Sequence, residues 1–264
     1  MKRLIIIPTY NEAMNVPVLI PRLFKHIKDA SILVVDDGSP DGTAEICRNL
    51  SKDYPQLFVE TRSKKSGLGG AYRHGFAWGL ERGYEEFIEI DADMSHRVRD
   101  LALMMKAKEE NPSAGLVIGS RWTKGGATIN WSWRRQLLSR VANLYVRLML
   151  GMGVNDSTAG FRIYSAELLR KIPLAEIKSE GYSFQIEMTR AAKLAGAKII
   201  EVPITFRERE SGVSKMSGAI VREAMLLVTV WGLGRFFRLK QLAVAVGFEP
   251  TVELPQHALS RRAP

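Results

Sequence analysis

The sequence predicts an α/β protein whose core is a mostly parallel β-sheet flanked by helices. From Leu4 to Ile118, short apolar runs of strand character alternate with segments in which apolar residues recur at helical spacing, the pattern of successive βαβ units. The loops after the runs ending at Ile7, Val35 and Ile90 are polar and unusual in composition. Right-handed crossovers place those three loops on one edge of the sheet, where open α/β folds bind their ligands.

Each element follows from its pattern. Leu4–Ile7 reads as the first strand, and Asn15–Ile27 as a helix with Val16, Leu19, Ile20, Leu23, Phe24 and Ile27 on one face. Ile32–Val35 is a strand, Gly42–Leu50 a helix and Leu57–Glu60 a strand. Leu68–Leu80 is a helix, entered tightly at Gly67–Gly70, and Phe87–Ile90 a strand. Leu101–Lys108 reads as a helix, Gly115–Ile118 as a strand and Arg121–Trp131 as a Gly-rich loop. Beyond it, Trp131–Leu150 and Phe184–Leu194 read as helices and Ile199–Ile204 as a strand. A basic loop spans Arg207–Gly218, and Gly218–Phe237 is an apolar helix interrupted by Arg222 and Glu223. From about Lys240 the chain is expected to be a loosely structured tail. The resulting division is a catalytic domain over 1–216 that includes a loop at 207–216, an amphipathic helix at 217–238, and a tail at 239–264.

Composition narrows the function classes. At 264 residues, 46% hydrophobic and 25% charged, the chain is globular, and its length excludes a second catalytic domain. One cysteine, Cys47, excludes a disulfide framework and a zinc cluster and fits a reducing cytosol. The first apolar run is too short for a signal-peptide core, and no stretch approaches the roughly 18 apolar residues of a spanning helix. The expectation is a protein that is neither secreted nor membrane-spanning. A formal charge of +10 favours anionic partners.

The chemistry concentrates at Asp91-Ala92-Asp93. In extended backbone the side chains at i and i+2 share a face, and two carboxylates so placed suit Mg²⁺, which takes one or two carboxylates plus substrate phosphates. An isolated Asp-x-Asp is also what a solvated loop looks like, so the surrounding motifs must carry the reading.

Pro8-Thr9-Tyr10-Asn11-Glu12, Val34-Val35-Asp36-Asp37-Gly38-Ser39-Pro40-Asp41-Gly42-Thr43 and Asp91-Ala92-Asp93-Met94-Ser95-His96 together resemble family 2 glycosyltransferases, which have the GT-A (Rossmann-like) fold. Gly67-Leu68-Gly69-Gly70-Ala71-Tyr72, Gly119-Ser120-Arg121, Ser157-Thr158-Ala159-Gly160-Phe161-Arg162 and Gly181-Tyr182-Ser183-Phe184-Gln185 are similar, within that family, to the dolichol-phosphate (polyprenol-phosphate) mannose synthases. The resemblance covers about residues 3–216, in order and spacing. It implies transfer of mannose from GDP-mannose to a polyprenyl (dolichyl-type) phosphate with inversion, giving a β-linked polyprenyl phosphomannose. It implies nucleotide-sugar contacts at Pro8, Tyr10, Glu12, Val35, Asp37, Asp91, Ala92, Asp93 and Arg121, with Asp93 and Arg121 as the residues that serve the chemistry. Mg²⁺ or Mn²⁺ would sit on Asp91, Asp93 and Ser95, the last standing where many relatives have Gln. The acceptor phosphate would meet Arg134 or Arg135, Ser139, Arg209 and Lys215.

Departure of the nucleoside diphosphate develops negative charge that a cation stabilises. The attacking phosphate is largely anionic at neutral pH, its second pKa being about 6, so no catalytic base is required. Glu89 and His96 lie nearby, and His96 reads as a loop or capping residue. The segment from Arg207 to Lys215 has the composition of a phosphate-gripping loop with Gly212 as hinge, or of a solvated charge run.

The acceptor that the resemblance implies is a lipid, and two helices carry residues suited to reach it. Trp131, Trp133, Leu137, Leu138, Val141, Leu144, Tyr145 and Leu148 alternate with Arg134, Arg135, Arg140 and Arg147, a composition suited to the headgroup boundary. Gly218–Phe237 adds a second apolar surface closed by Arg235 and Arg238. Core packing or a dimer contact is the other use of such faces. The expectation is a peripheral enzyme on the cytoplasmic face of the membrane, with room for a membrane-anchoring partner protein. Two other readings were weighed: a glucosyl or N-acetylglucosaminyl transferase using a UDP-sugar on the same lipid, and a basic nucleic-acid-binding protein. The second predicts exposed aromatic platforms in basic grooves, whereas the clearest loops here are acidic, so no nucleic-acid partner is expected.

Overall fold

The computed structural model describes residues 1–63, 67–208 and 218–245. Its elements are β1 (Arg3–Thr9), α1 (Val16–His26), β2 (Ala30–Asp36), α2 (Thr43–Leu50), β3 (Leu57–Thr61), α3 (Gly67–Glu81), β4 (Glu86–Glu89), α4 (Val98–Glu110) and β5 (Ala114–Ser120). They continue with β6 (Ala127–Ile129), α5 (Trp133–Leu150), β7 (Arg162–Ser165), α6 (Ala166–Lys171), α7 (Gly181–Leu194), β8 (Lys198–Pro203), β9 (Thr205–Arg207) and α8 (Gly218–Ala245).

Seven strands form one sheet in the order β3-β2-β1-β4-β7-β5-β8, and β6 pairs with β9 in a separate two-stranded sheet. β7 is antiparallel to both its neighbours, and every other pairing in the large sheet is parallel. β4 and β5 flank β7 and therefore run in the same direction as each other. The chain steps from β1 to β2 on one side and returns to β4 on the other, which makes the β1/β4 boundary the topological switch point where a crevice opens.

β1 explains the layering. Leu4 to Ile7 are all fully buried, Leu4 and Ile6 in the core layer shared with α3, α6 and α7, and Ile5 and Ile7 in the layer shared with α1, α2 and α4. A strand covered on both faces reads as a continuous apolar run rather than an alternation, and each such side chain contributes about 1.5–3 kcal/mol by leaving water. α3 comes close to the sheet through its glycines: a Cβ on Gly79 would lie 2.4 Å from Phe87 Cε1 and 2.7 Å from Leu4 Cδ2. Cys47 is buried under α2, and burial pushes its thiol up to about 12. A third cluster, Val146, Leu150, Met152, Ile186 and Val228, joins α5, α7 and α8.

The structure revises the sequence reading at four places. The Gly-rich stretch taken as loop contains β6, whose backbone pairs with β9. Arg207 belongs to β9 rather than to a loop, because it pairs with Ile129 of β6; its N–H also donates to the Ser95 carbonyl at 3.0 Å. α8 continues eight residues past Phe237, to Ala245, where the tail was expected to be under way. Finally, β7 and α6 had no counterpart in the reading, because β7 is four residues long and opens on an arginine.

Candidate active site

The first two loops are fixed by their own polar side chains. The Thr9 hydroxyl donates to Asp36 Oδ1 at 2.8 Å and the Asp37 N–H to the Thr9 carbonyl at 3.0 Å. Asp36 also receives the N–H and hydroxyl of Ser39 at 2.9 and 2.6 Å. Asn11 N–H donates to Ser39 Oγ, Glu12 N–H to Thr43 Oγ1 and Ala13 N–H to Asp41 Oδ2, each at 3.0 Å. Asp36 and Asp41 thus shape the two loops, and Tyr10, Glu12 and Asp37 stand beside them at the same sheet edge. Asp37 is held at 3.1 Å by Arg62, a residue the sequence reading did not select. Pro8 ends the buried run of β1, while the Val35 side chain is wholly in the core, which leaves only its backbone for a ligand.

The third loop begins where β4 ends. The Asp91 side chain is one-third exposed (34%), whereas Asp93 and Ala92 are buried. Met94 turns the chain with φ +62°, a left-handed conformation costing a non-glycine residue of the order of 1–3 kcal/mol. That turn lets Ser95 N–H donate to Asp93 Oδ1 at 3.1 Å. Ser95 Oγ and both ring nitrogens of His96 are buried without a hydrogen-bond partner among the described residues. His96 lies in the loop before α4, one of the two places the sequence reading gave it, and its ring caps no backbone group among the described residues. Its ring packs against Phe161 and Phe206 at 4.6 and 5.2 Å, with Nε2 3.6 Å from Asp91 Oδ2. Two carboxylates and an orphaned hydroxyl on one turn are hard oxygen donors that suit Mg²⁺ or Mn²⁺. Among the described residues no group of three or more His, Cys, Asp or Glu side chains converges, so the remaining ligands would come from substrate phosphate and water.

A buried polar layer backs this turn. Burial pushes the Glu89 carboxyl up to about 8; nearby Arg162 and the Gln185 amide at 2.9 Å oppose that shift, and Asp91 adds to it. Arg162 is fully buried and donates to the carbonyls of Ala159, Ser157 and Gln185 at 2.7, 2.7 and 2.9 Å and to Thr189 Oγ1 at 3.0 Å.

Because β4 and β5 run in the same direction, Arg121, just past β5, lies at the same edge as Asp91. Its guanidinium is clamped by Asp156: Nε to Oδ2 at 2.8 Å and Nη2 to Oδ1 at 2.7 Å, with the Arg121 backbone N–H on Oδ2 at 2.9 Å. It faces the rings of Trp131, Phe206 and Trp122 at 5.4–5.7 Å. A cavity of about 90 Å³ opens here between α5, α7 and α8. Arg121, Arg135, Ser139, Asn143 and Thr158 make its polar end, while Leu138, Val146, Ile186 and Val228 are among the apolar residues of its wall. Arg135 stacks on Trp131 at 4.1 Å and pairs with Glu208 at 2.5 Å. Of the two candidate arginines on α5, Arg135 lines this cavity, whereas Arg134 is exposed and lies over Trp133 at 5.6 Å. Arg209 and Lys215 fall outside the described residues. Asn143, Asp156 and Thr158 were missed as site residues; the clue was that Thr158 sits inside the Ser157–Arg162 motif already singled out, with Asp156 immediately before it.

The outer faces of the cavity helices are apolar. Trp133, Leu137, Val141, Leu144 and Leu148 are exposed on α5, and Leu226, Val230, Leu233, Phe236 and Phe237 on α8. The two helices are tied by Tyr145 and Thr229, whose hydroxyls lie 2.7 Å apart. Among the described residues no helix is long and apolar enough to cross a membrane.

Comparison with known proteins agrees with this geometry. Residues 4–173 match the family model described as glycosyl transferase family 2. The chain is 49% identical over 239 residues to a polyprenol monophosphomannose synthase of Mycolicibacterium smegmatis, covering 90% of this chain and 89% of the relative. It is 48% identical over 233 residues to an undecaprenyl-phosphate mannosyltransferase of Micrococcus luteus, covering 88% and 95% respectively. Among solved structures, glucosyl-3-phosphoglycerate synthase from Mycobacterium tuberculosis, in complex with Mn²⁺ and UDP-glucose, superposes with a TM-score of 0.62 at 19% identity, covering 95% of this chain and 80% of that one.

Proposed function

The chain belongs to glycosyl transferase family 2, and on that premise we propose that it transfers mannose from GDP-mannose to a polyprenyl phosphate with inversion, yielding a β-linked polyprenyl phosphomannose. The observation that carries the proposal is the cavity between α5 and α8, whose polar end carries Arg121 and Arg135 and whose wall is apolar. A phosphate on a hydrocarbon tail is the ligand such a space accepts. The names of the two relatives support the same acceptor class and the same sugar.

The residues divide the work. Tyr10, Glu12, Asp37 and the backbones at Pro8, Val35 and Ala92 meet the nucleotide. Asp91, Asp93 and Ser95 would hold Mg²⁺ or Mn²⁺, which when bound neutralises the charge that develops on the departing diphosphate. Arg121, which the resemblance implied as a nucleotide-sugar contact, lines the cavity with Arg135 and Ser139, so we assign it, with them and with Arg209 and Lys215, to the acceptor phosphate. One of its anionic oxygens forms a bond to the sugar C1 as the C1–O bond to GDP breaks on the opposite face. No proton has to be removed, so Glu89 needs no role as a base. The apolar wall keeps water from competing as nucleophile. The exposed faces of α5 and α8, with Arg134, Arg140, Arg147 and Arg235, lie against an anionic membrane surface, cytoplasmic in the full reading, where an anchoring partner protein would also sit.

The test is transfer of radiolabelled sugar into an organic-extractable product by purified protein with polyprenyl phosphate and Mg²⁺ or Mn²⁺. GDP-mannose, UDP-glucose and UDP-N-acetylglucosamine are compared, with an EDTA control. A GDP-mannose-specific, EDTA-sensitive product is expected. Product from a UDP-sugar alone overturns the donor, and no product with any donor overturns the acceptor.

A further inference from the structure

Resting on the reading of the cavity as the acceptor-phosphate site, we infer that Thr158 is a positioning residue that sets the orientation of Arg121 and thereby the recognition of the lipid phosphate. Thr158 lines the cavity, and its hydroxyl is a hub for three groups. It accepts from Arg121 Nη2 at 2.9 Å and from Asn143 Nδ2 at 3.2 Å, and it donates to Asp156 Oδ1 at 3.2 Å. One hydroxyl supplies one donor and two acceptor sites, so all of its capacity is spent on fixing its neighbours. None is left for a ligand, and the residue acts through Arg121.

The hub is itself anchored from two sides. Asn143, buried on α5, accepts the Ser157 N–H and hydroxyl at 2.8 and 2.9 Å through Oδ1, and it donates to the Ser139 carbonyl at 3.0 Å. Glu201 on β8 accepts the N–H groups of Asn155 and Asp156 at 2.9 Å each. Thr158 therefore ties the arginine at the end of β5 to the helix that bears Arg135 and Ser139. A guanidinium binds phosphate best when its planar fork is already aimed; Asp156 holds the Nε–Nη2 edge, and Thr158 takes a second bond from Nη2 and links it to α5 through Asn143.

Thr158→Val keeps the shape of the side chain and removes the hydroxyl. The expected result is a rise of about tenfold in the KM for polyprenyl phosphate, the loss typical of one bond to a charged group. The KM for GDP-mannose should change by less than about twofold, because the loops after β1, β2 and β4 lie across β7 from β5. Thr158→Ser restores the hydroxyl and should recover most of the acceptor affinity. An unchanged acceptor KM in Thr158→Val overturns the inference. So does an equal rise in both KM values, or a serine variant as impaired as valine, since each marks a structural role only. These results leave wild-type transfer intact and are thereby distinct from failure of the underlying reading, in which the wild-type protein itself uses no polyprenyl phosphate and the inference falls with it.

Discussion

Replacing Asp156 by Asn removes one of the most buried charges in the molecule while keeping the shape of the side chain. Asp156 is fully buried and receives three N–H groups of Arg121 at 2.7–2.9 Å, while Arg121 itself is only 5% exposed. Removing one partner of a buried pair strands the other charge, at a cost of about 3–5 kcal/mol. Asparagine retains one acceptor oxygen, so the lower end, about 3 kcal/mol, is expected. For a chain of this size each kcal/mol moves Tm by about 2–3 °C, so the shift should be about 6–9 °C downward. Burial alone would push the Asp156 carboxyl up, but the Arg121 charge and its hydrogen bonds outweigh burial and hold it below the ordinary carboxylate range. A depressed native pKa means that this stability is complete above about pH 4, the unfolded value, and is lost as pH falls through the lower native value. Thermal unfolding followed by circular dichroism from pH 7 down to pH 3 tests both parts. The wild-type advantage should hold at pH 5–7 and shrink below pH 4. A variant within about 2 °C of wild type at pH 7, or a gap that widens in acid, would refute the reasoning.

Three further outcomes are expected. Asp93→Ala should cut transfer by roughly a thousandfold, several kcal/mol of charge stabilisation being lost. Its Tm should fall only slightly, since the Ser95 N–H bond is worth about 1 kcal/mol; full activity in Mn²⁺ buffer would remove the carboxylate from the metal site. Gly79→Ala should lower urea stability by up to about 2 kcal/mol. Overpacking against Phe87 and Leu4 costs about 1–3 kcal/mol, and better helix propensity returns about 1. The double change Phe236→Glu and Phe237→Glu, at positions 66% and 61% exposed, should reduce co-sedimentation with anionic vesicles at least tenfold. Unchanged sedimentation would exclude that face from the membrane contact.

The first half of the fold was legible because its strands are buried on both sides and its helices on one, so hydrophobic pattern and structure coincide. Leu4–Ile7 and Ile32–Val35 fall inside β1 and β2 for that reason. β7 was not legible: Arg162 sits inside it, and a fully buried arginine satisfied by carbonyls has no signature in a hydropathy pattern. The three polar loops announced themselves by composition, yet Asp36 and Asp37 look alike in sequence while one is spent on loop geometry and the other stands at the sheet edge. The cavity between α5, α7 and α8 was half legible. Arg135 and Ser139 were in the reading, but the choice between Arg134 and Arg135 depends on helix rotation. Asn143, Asp156 and Thr158 matter only through contacts made far along the chain.

The place of β7 in the sheet has one more consequence. The three polar loops all follow strands on one side of the β4–β7 pairing, and the cavity is lined by residues from 121 onward on the other side. Within the sheet the two halves meet along four residue pairs, Glu86 with Ser165 through Glu89 with Arg162, and above and below it they share both core layers. On the proposed division of the site, substitutions in α5 and α8 can alter which acceptor is taken while the loops after β1, β2 and β4 go on reading the same donor. Variation among descendants of this architecture should therefore collect on one side of β7, with Glu89, Arg162 and Gln185 held constant between them as the joint.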